Sequence, residues 1–86
     1  MNEPAIFKGV VANIEYKGIN GHYKKIVTLR QSKNNIAFVE FRGYKMDLLD
    51  HTGIGTTLNV SYYVEGKISK SSGIYYNNLV AIKIIK

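Results

Sequence analysis

Leu58 to Lys67 carries the cleanest two-residue period in the chain. Leu58, Val60, Tyr62, Val64 and Gly66 alternate with Asn59, Ser61, Tyr63, Glu65 and Lys67. Successive strand side chains point to opposite faces, so this segment predicts a half-buried strand with the first set turned inward. Tyr63 then becomes an exposed ring on a polar face. Ala5 to Tyr16 also alternates, with Ile6, Val10, Ala12 and Ile14 on one parity and Phe7, Gly9, Val11, Asn13 and Glu15 on the other. A run this long predicts a first strand that bends to serve both ends of a sheet, with Gly9 as the candidate bend or bulge.

Lys17-Gly18-Ile19-Asn20-Gly21 is turn chemistry, as is Ser32-Lys33-Asn34-Asn35. Between and after them, Tyr23 to Gln31 and Ile36 to Arg42 read as a second and third strand, completing a meander. Tyr44 to His51 changes period: Tyr44 and Leu48 are four apart with Leu49 beside them, while Lys45, Asp47 and Asp50 can face water. This predicts about two turns of helix, bounded by Gly43 before and Gly53 and Gly55 after, and dependent on packing. After a polar tip at Lys70-Ser71-Ser72-Gly73, Ile74 to Ile85 predicts a last strand of ambiguous register. Leu79 and Ala81 share a parity with Lys83, whereas Val80, Ile82 and Ile84 take the other. Either a bulge or burial on both faces resolves it.

Three strands, a short helix and two further strands is the element order of an OB-fold barrel. The expectation is an all-β, five-stranded OB-fold barrel with one short helix between strands 3 and 4, residues 1–86 forming one domain. Closing the sheet would remove its exposed edges.

Composition narrows the chemistry. An apolar share of 45% is ordinary for a folded protein, and the absence of cysteine excludes disulfides and thiolate metal sites. His22 and His51 lie far apart, so no metal and no cofactor is expected. No apolar run approaches the roughly 20 residues that span a bilayer, and Met1-Asn2-Glu3-Pro4 shows no secretory pattern. A cytoplasmic protein with no membrane partner is expected. Lysine and arginine number 12 against 6 acids, a net charge of +6, which attracts polyanions at low salt. Seven tyrosines and three phenylalanines interleave with those cations.

Several segments resemble a family of short bacterial and phage OB-fold proteins similar to single-stranded DNA-binding proteins. They are Phe7-Lys8-Gly9-Val10-Val11, Ile36-Ala37-Phe38-Val39-Glu40-Phe41, Val64-Glu65-Gly66-Lys67 and Tyr75-Tyr76-Asn77-Asn78-Leu79-Val80-Ala81. Bacterial members usually end in an acidic recruiting tail, whereas this chain ends Ala81-Ile82-Lys83-Ile84-Ile85-Lys86. The resemblance therefore implies a minimal phage-type or accessory protein of replication, recombination or repair.

Single-strand binding needs cations for the backbone and flat rings for unstacked bases. An OB-fold binds over its second and third strands, between the first-to-second and fourth-to-fifth loops. On this chain that groove takes Tyr23, Lys24, Lys25 and Arg30 from the second strand, with Phe38 and Arg42 from the third. Lys17, Lys33, Lys67 and Lys70 come from the loops, with Tyr75 and Tyr76 from the start of the fifth strand. Structural roles compete with several of these. Tyr62 reads as core, Phe7 and Phe41 are open between core and surface, Phe38 is buried instead if the parity of the third strand is the opposite one, and alternation turns one of Tyr75 and Tyr76 inward. Tyr63 faces outward, toward either bases or a subunit interface. Asn20, Asn34, Asn35, Asn77 and Asn78 are turn residues.

Glu15, Glu40, Asp47, Asp50 and Glu65 are scattered, and no P-loop, nucleophile elbow or His–carboxylate pair is present. An enzyme with a small-molecule substrate is not expected. The leading reading is sequence-tolerant binding of single-stranded DNA by a homo-oligomer, since one barrel covers about 4–16 nucleotides. The alternatives are a protein-assembly module and an RNA-binding OB protein.

Overall fold

The computed structural model describes residues 4–85. Met1–Glu3, read above as a start without a leader, and Lys86 of the basic end lie outside the described residues. Strands form where the alternation runs: β1 (Ala5–Ile19), β2 (His22–Ser32), β3 (Asn35–Arg42), β4 (Thr57–Ile68) and β5 (Tyr75–Ile84). The sheet closes on itself in the order β1-β2-β3-β5-β4. Every neighbouring pair is antiparallel except β3 and β5, which run parallel through Val39–Leu79 and Glu40–Val80.

Closure depends on β1, which pairs with β4 over Ala5 to Val10 and with β2 over Val10 to Ile19. Gly9 sits just before this change of partner. A Cβ there would stand 3.1 Å from the Arg30 amide nitrogen and 3.1 Å from the Phe7 ring, so Gly9 serves a close approach of chains. The bulge lies elsewhere, at Ala12, between Val11 opposite Leu29 and Asn13 opposite Thr28. An extra residue reverses which parity faces the core. Val11, with Phe7 packed beside it, faces inward before the bulge, and Ile14 packs inward after it. Neither parity set of β1 is uniformly apolar for that reason.

The same device resolves β5. Ala81 opposes Tyr62 and Lys83 opposes Ser61, which leaves Ile82 as the extra residue. Leu79 and Ala81 pack on the core before it and Ile84 after it, while Val80 is buried on the opposite face. The core itself is Val11, Val27, Leu29, Ala37, Val39, Phe41, Leu49, Leu58, Val60 and Ala81. Phe41 is fully buried, and Phe7 and Tyr62 pack half-buried against this cluster.

Two expectations need correction. Val64 and Gly66 continue the inward parity of β4, yet Val64 is 54% exposed and Gly66 is exposed as well. Beyond Tyr63 the β4–β5 hairpin runs past the core and becomes an arm with water on both sides. The β1–β2 hairpin does the same beyond Ile14. The segment after β3 is a 3₁₀ helix, Gly43–Leu49. At three residues per turn, Met46 and Leu49 share a face, whereas Tyr44 and Leu48 do not. Leu49 accordingly enters the core and Met46 is half-buried, while Tyr44 and Leu48 stay exposed. The helix packs on β2, β3 and β5, and Lys45 Nζ donates to the Ile82 carbonyl at the β5 bulge. Among the described residues no helix is long and apolar enough to cross a membrane.

Candidate nucleic-acid interface

Directly opposed residues of paired strands share a face. Because Val27, Leu29, Ala37, Val39 and Phe41 are sealed in the core, their neighbours in β2 and β3 must look outward. The outward set pairs Lys24 with Arg42, Ile26 with Glu40, Thr28 with Phe38 and Arg30 with Ile36. Lys17, opposite Lys24, extends it onto β1. Phe38 is 61% exposed in the middle of this face. A phenylalanine at such a position, opposite Thr28 and diagonal to Arg30, is an exposed apolar ring with no internal structural task.

At one end the face deepens into an open cleft of ≈ 800 Å³. Lys17, Ile19, Asn20, Gly21, His22, Tyr23, Lys24, Arg42, Gly43 and Lys67 line it. The β1–β2 turn forms its lip. Asn20 (φ 51°) and Gly21 (φ 81°) both occupy the left-handed region, which a tight two-residue hairpin turn demands and which Asn-Gly tolerates best.

The cations of the cleft do not stand free. Lys24 Nζ lies 3.1 Å from Glu40 Oε1, and Arg42 Nε donates to the same oxygen at 2.9 Å. Arg42 also donates through Nη1 and Nη2 to both oxygens of Glu65, at 3.1 and 2.9 Å. Lys67 Nζ is 3.4 Å from Glu65, and Lys17 Nζ is 3.6 Å from Glu15. A ladder of alternating charge, Lys24–Glu40–Arg42–Glu65–Lys67, thus crosses β2, β3 and β4. The Arg42 hydrogen bonds hold the Glu65 carboxyl down to about 2, with the charges of Arg42 and Lys67 and a hydrogen bond from Asn78 adding to the effect against partial desolvation. Reciprocally, Glu65 first and Glu40 second push the Arg42 guanidinium above its ordinary range. Glu40 is only 6% exposed although it points away from the core, in keeping with its two cationic partners lying over it.

Of the residues assigned to the groove from sequence, Lys17, Tyr23, Lys24, Arg42 and Lys67 come together around the cleft. Arg30 and Phe38 lie on the same outward face. Lys33 stands in the β2–β3 turn and Lys70 in the β4–β5 loop. Tyr76 opposes Lys67 and Tyr75 opposes Ile68, on opposite faces of the arm. Both rings are exposed, 45% and 78% respectively, so neither turns into the core as alternation suggested; the arm has no core to offer them. Lys25 opposes Phe41 and therefore has the inward parity, away from the outward face.

Sequence reading missed Ile19, Asn20, Gly21, His22 and Gly43, which line the cleft with turn residues. It also missed Glu40 and Glu65, which hold its cations. Glu40 lies between Phe38 and Arg42 in the same alternation, and that parity was the signal available. Among the described residues no group of three or more His, Cys, Asp or Glu could hold a metal ion.

No family model and no curated protein matches this chain. Among solved structures it is similar to a small single-stranded DNA binding protein from Mycoplasma pneumoniae, with a TM-score of 0.73 at 15% identity. The match covers 100% of this chain and 94% of that one. At such low identity the likeness is one of architecture: this closed five-stranded ring shares the fold of that protein.

Proposed function

We propose that the protein binds single-stranded DNA, with little sequence preference, across the outward face of β2 and β3. The observation that carries this reading is a cation-lined cleft continuous with an exposed Phe38 and flanked by the Tyr76-bearing arm. Bases unstacked from one another lie on Phe38 and Tyr76, whose faces accept any base. Phosphates follow the cations along the rim, from Arg30 and Lys33 past the cleft to Lys70. The solved protein of the same fold is itself named for single-stranded DNA binding, which agrees with this reading. An accessory role in replication, recombination or repair fits a binder that recognises strandedness instead of sequence.

Titration of labelled oligo-dT at low salt tests the proposal. Affinity should exceed that for a matched duplex and fall with salt, with a log–log slope of about −0.7 per phosphate contacted. Affinity no better than the duplex background would end it. A matched RNA oligomer in parallel separates DNA from RNA.

A second reading has its own observation. Val64, Ile68 and Tyr75 share the inward parity of the β4–β5 arm, and all three are exposed, giving an apolar side turned away from the Lys67 and Tyr76 side. An assembly contact between copies would use that side. Native mass measurement with and without oligonucleotide distinguishes the two: Val64→Ser should lower the mass of an assembly and leave monomer binding intact.

A further inference from the structure

We infer that Glu65 sets the affinity of this face by occupying the Arg42 fork where a backbone phosphate would bind. The inference rests on the single-strand reading above and adds a residue that works against binding.

Arg42 meets Glu65 through two parallel bonds, 2.9 and 3.1 Å, one to each carboxylate oxygen. A guanidinium offers the same fork to a carboxylate and to a phosphate. Its remaining edge is used as well, since Nε donates to Glu40 at 2.9 Å. Arg42 therefore has no vacant donor edge for a strand until one carboxylate leaves. Which one leaves follows from burial. Glu40 is 6% exposed and belongs to β3, in the wall of the ring. Glu65 belongs to the β4–β5 arm, beyond the last inward-packed residue of β4, and its side chain is 30% exposed. Glu65 is the group that can swing out.

Lys67, 3.4 Å from Glu65, shares its release. By contrast Arg30, Lys33 and Lys70 form no ion pair among the described residues, so a strand can meet them at no such cost. The free protein thus offers ready cations at the margins and a self-occupied fork in the middle. Binding at the fork exchanges one anion for another, which contributes less than binding at a free arginine. Glu65 consequently holds the protein below the affinity its cations would otherwise give.

Titration of labelled oligo-dT against wild type, Glu65→Gln and Asp47→Asn tests this. Asp47 is exposed on the 3₁₀ helix and makes no ion pair among the described residues, so its variant adds the same charge away from the ladder. Glu65→Gln should bind about fivefold tighter, the scale of a partly exposed ion pair removed from competition. Its salt slope should steepen by about 0.7, one phosphate more, while Asp47→Asn should gain about twofold or less. Equal or weaker binding by Glu65→Gln, or an equal gain from Asp47→Asn, overturns the inference. Should Glu65→Gln misfold, Glu65→Thr, a strand-favouring residue, carries the same expectation. A wild type that does not bind removes the single-strand reading and this inference with it. A wild type that binds, without the Glu65→Gln gain, removes this inference alone.

Discussion

The two hairpin arms carry tyrosines in comparable places and treat them in opposite ways. On the β1–β2 arm, Tyr16 and Tyr23 stack on each other, ring centroids 6.2 Å apart and planes 13° from parallel. On the β4–β5 arm, Tyr75 and Tyr76 have no ring partner among the described residues, although all four rings are exposed. The difference traces to one residue. Gly18 opposes Tyr23, and a Cβ there would stand 2.5 Å from the Tyr23 ring; the missing side chain is the space in which that ring lies. Tyr75 and Tyr76 instead oppose Ile68 and Lys67, neither of them a glycine. One arm pairs its rings with each other, and the other leaves its rings unpaired.

Ring truncation should separate the arms most strongly. Tyr76→Ala, like Phe38→Ala on the face itself, should cost about 1–3 kcal/mol of oligo-dT affinity per stacked base with a stability change within about 0.5 kcal/mol. Tyr23→Ala should do the reverse, lowering stability by about 0.5–1.5 kcal/mol through loss of its partner and affinity far less. Urea melts and anisotropy titrations of the same preparations check both. If Tyr23→Ala weakens binding as much as Tyr76→Ala, the contrast between the arms is false.

Gly18→Val attacks the cause of the contrast at a smaller cost. The new side chain must expel the Tyr23 ring, which forfeits about 0.5–1.5 kcal/mol of stacking. Replacing glycine in a strand returns about 0.5–1 kcal/mol of backbone entropy, so the net loss should be about 1 kcal/mol or less. The near-ultraviolet circular dichroism of the tyrosines should nevertheless change, because the pair is broken. An unchanged spectrum would show that the ring does not depend on Gly18.

What could be read from sequence follows the same division between ring and arms. Within the ring, alternation is enforced by burial, so Leu58, Val60, Val27 and Leu29 point where their parity says. Phe38 was left open by the sequence, since both parities of β3 carry apolar residues, and the burial of Ala37 and Val39 is what turns it outward. Parity fails at Ala12 and Ile82, because a bulge inserts one residue without any local signature in side-chain type. It fails again at Val64 and Gly66, because alternation persists in strands that have run past the core and no longer have an inside. The short helix lies where it was expected, but its faces were misread for a different reason. Over seven residues, a period of three and a period of 3.6 place Leu49 inward alike and differ only in its companions. The charge ladder depends on β3 and β4 being brought together through β5, a long-range fact that no spacing between Arg42 and Glu65 reveals.

The smallest expected effect concerns the link that ties the β4–β5 arm to the ring. Glu65 titrates at about 2 in the folded protein, lowered from 4.5 chiefly by the Arg42 hydrogen bonds. A carboxyl whose folded pKa is depressed contributes stability above its unfolded value and loses that contribution as pH falls through the folded one. The bridge should therefore stabilise fully above pH 4.5 and fade as the pH is lowered toward about 2. Arg42 does not titrate in this window, so its partner alone sets the slope. Because the Glu65 side chain is partly open to solvent, the amplitude should be modest and reduced by salt. Thermal melts of wild type and Glu65→Gln between pH 6 and pH 2 give the comparison: the wild-type curve should fall more steeply below pH 4.5, and the two should converge in acid. Parallel curves across that range would mean that the arm is held to the ring by its strand pairing alone.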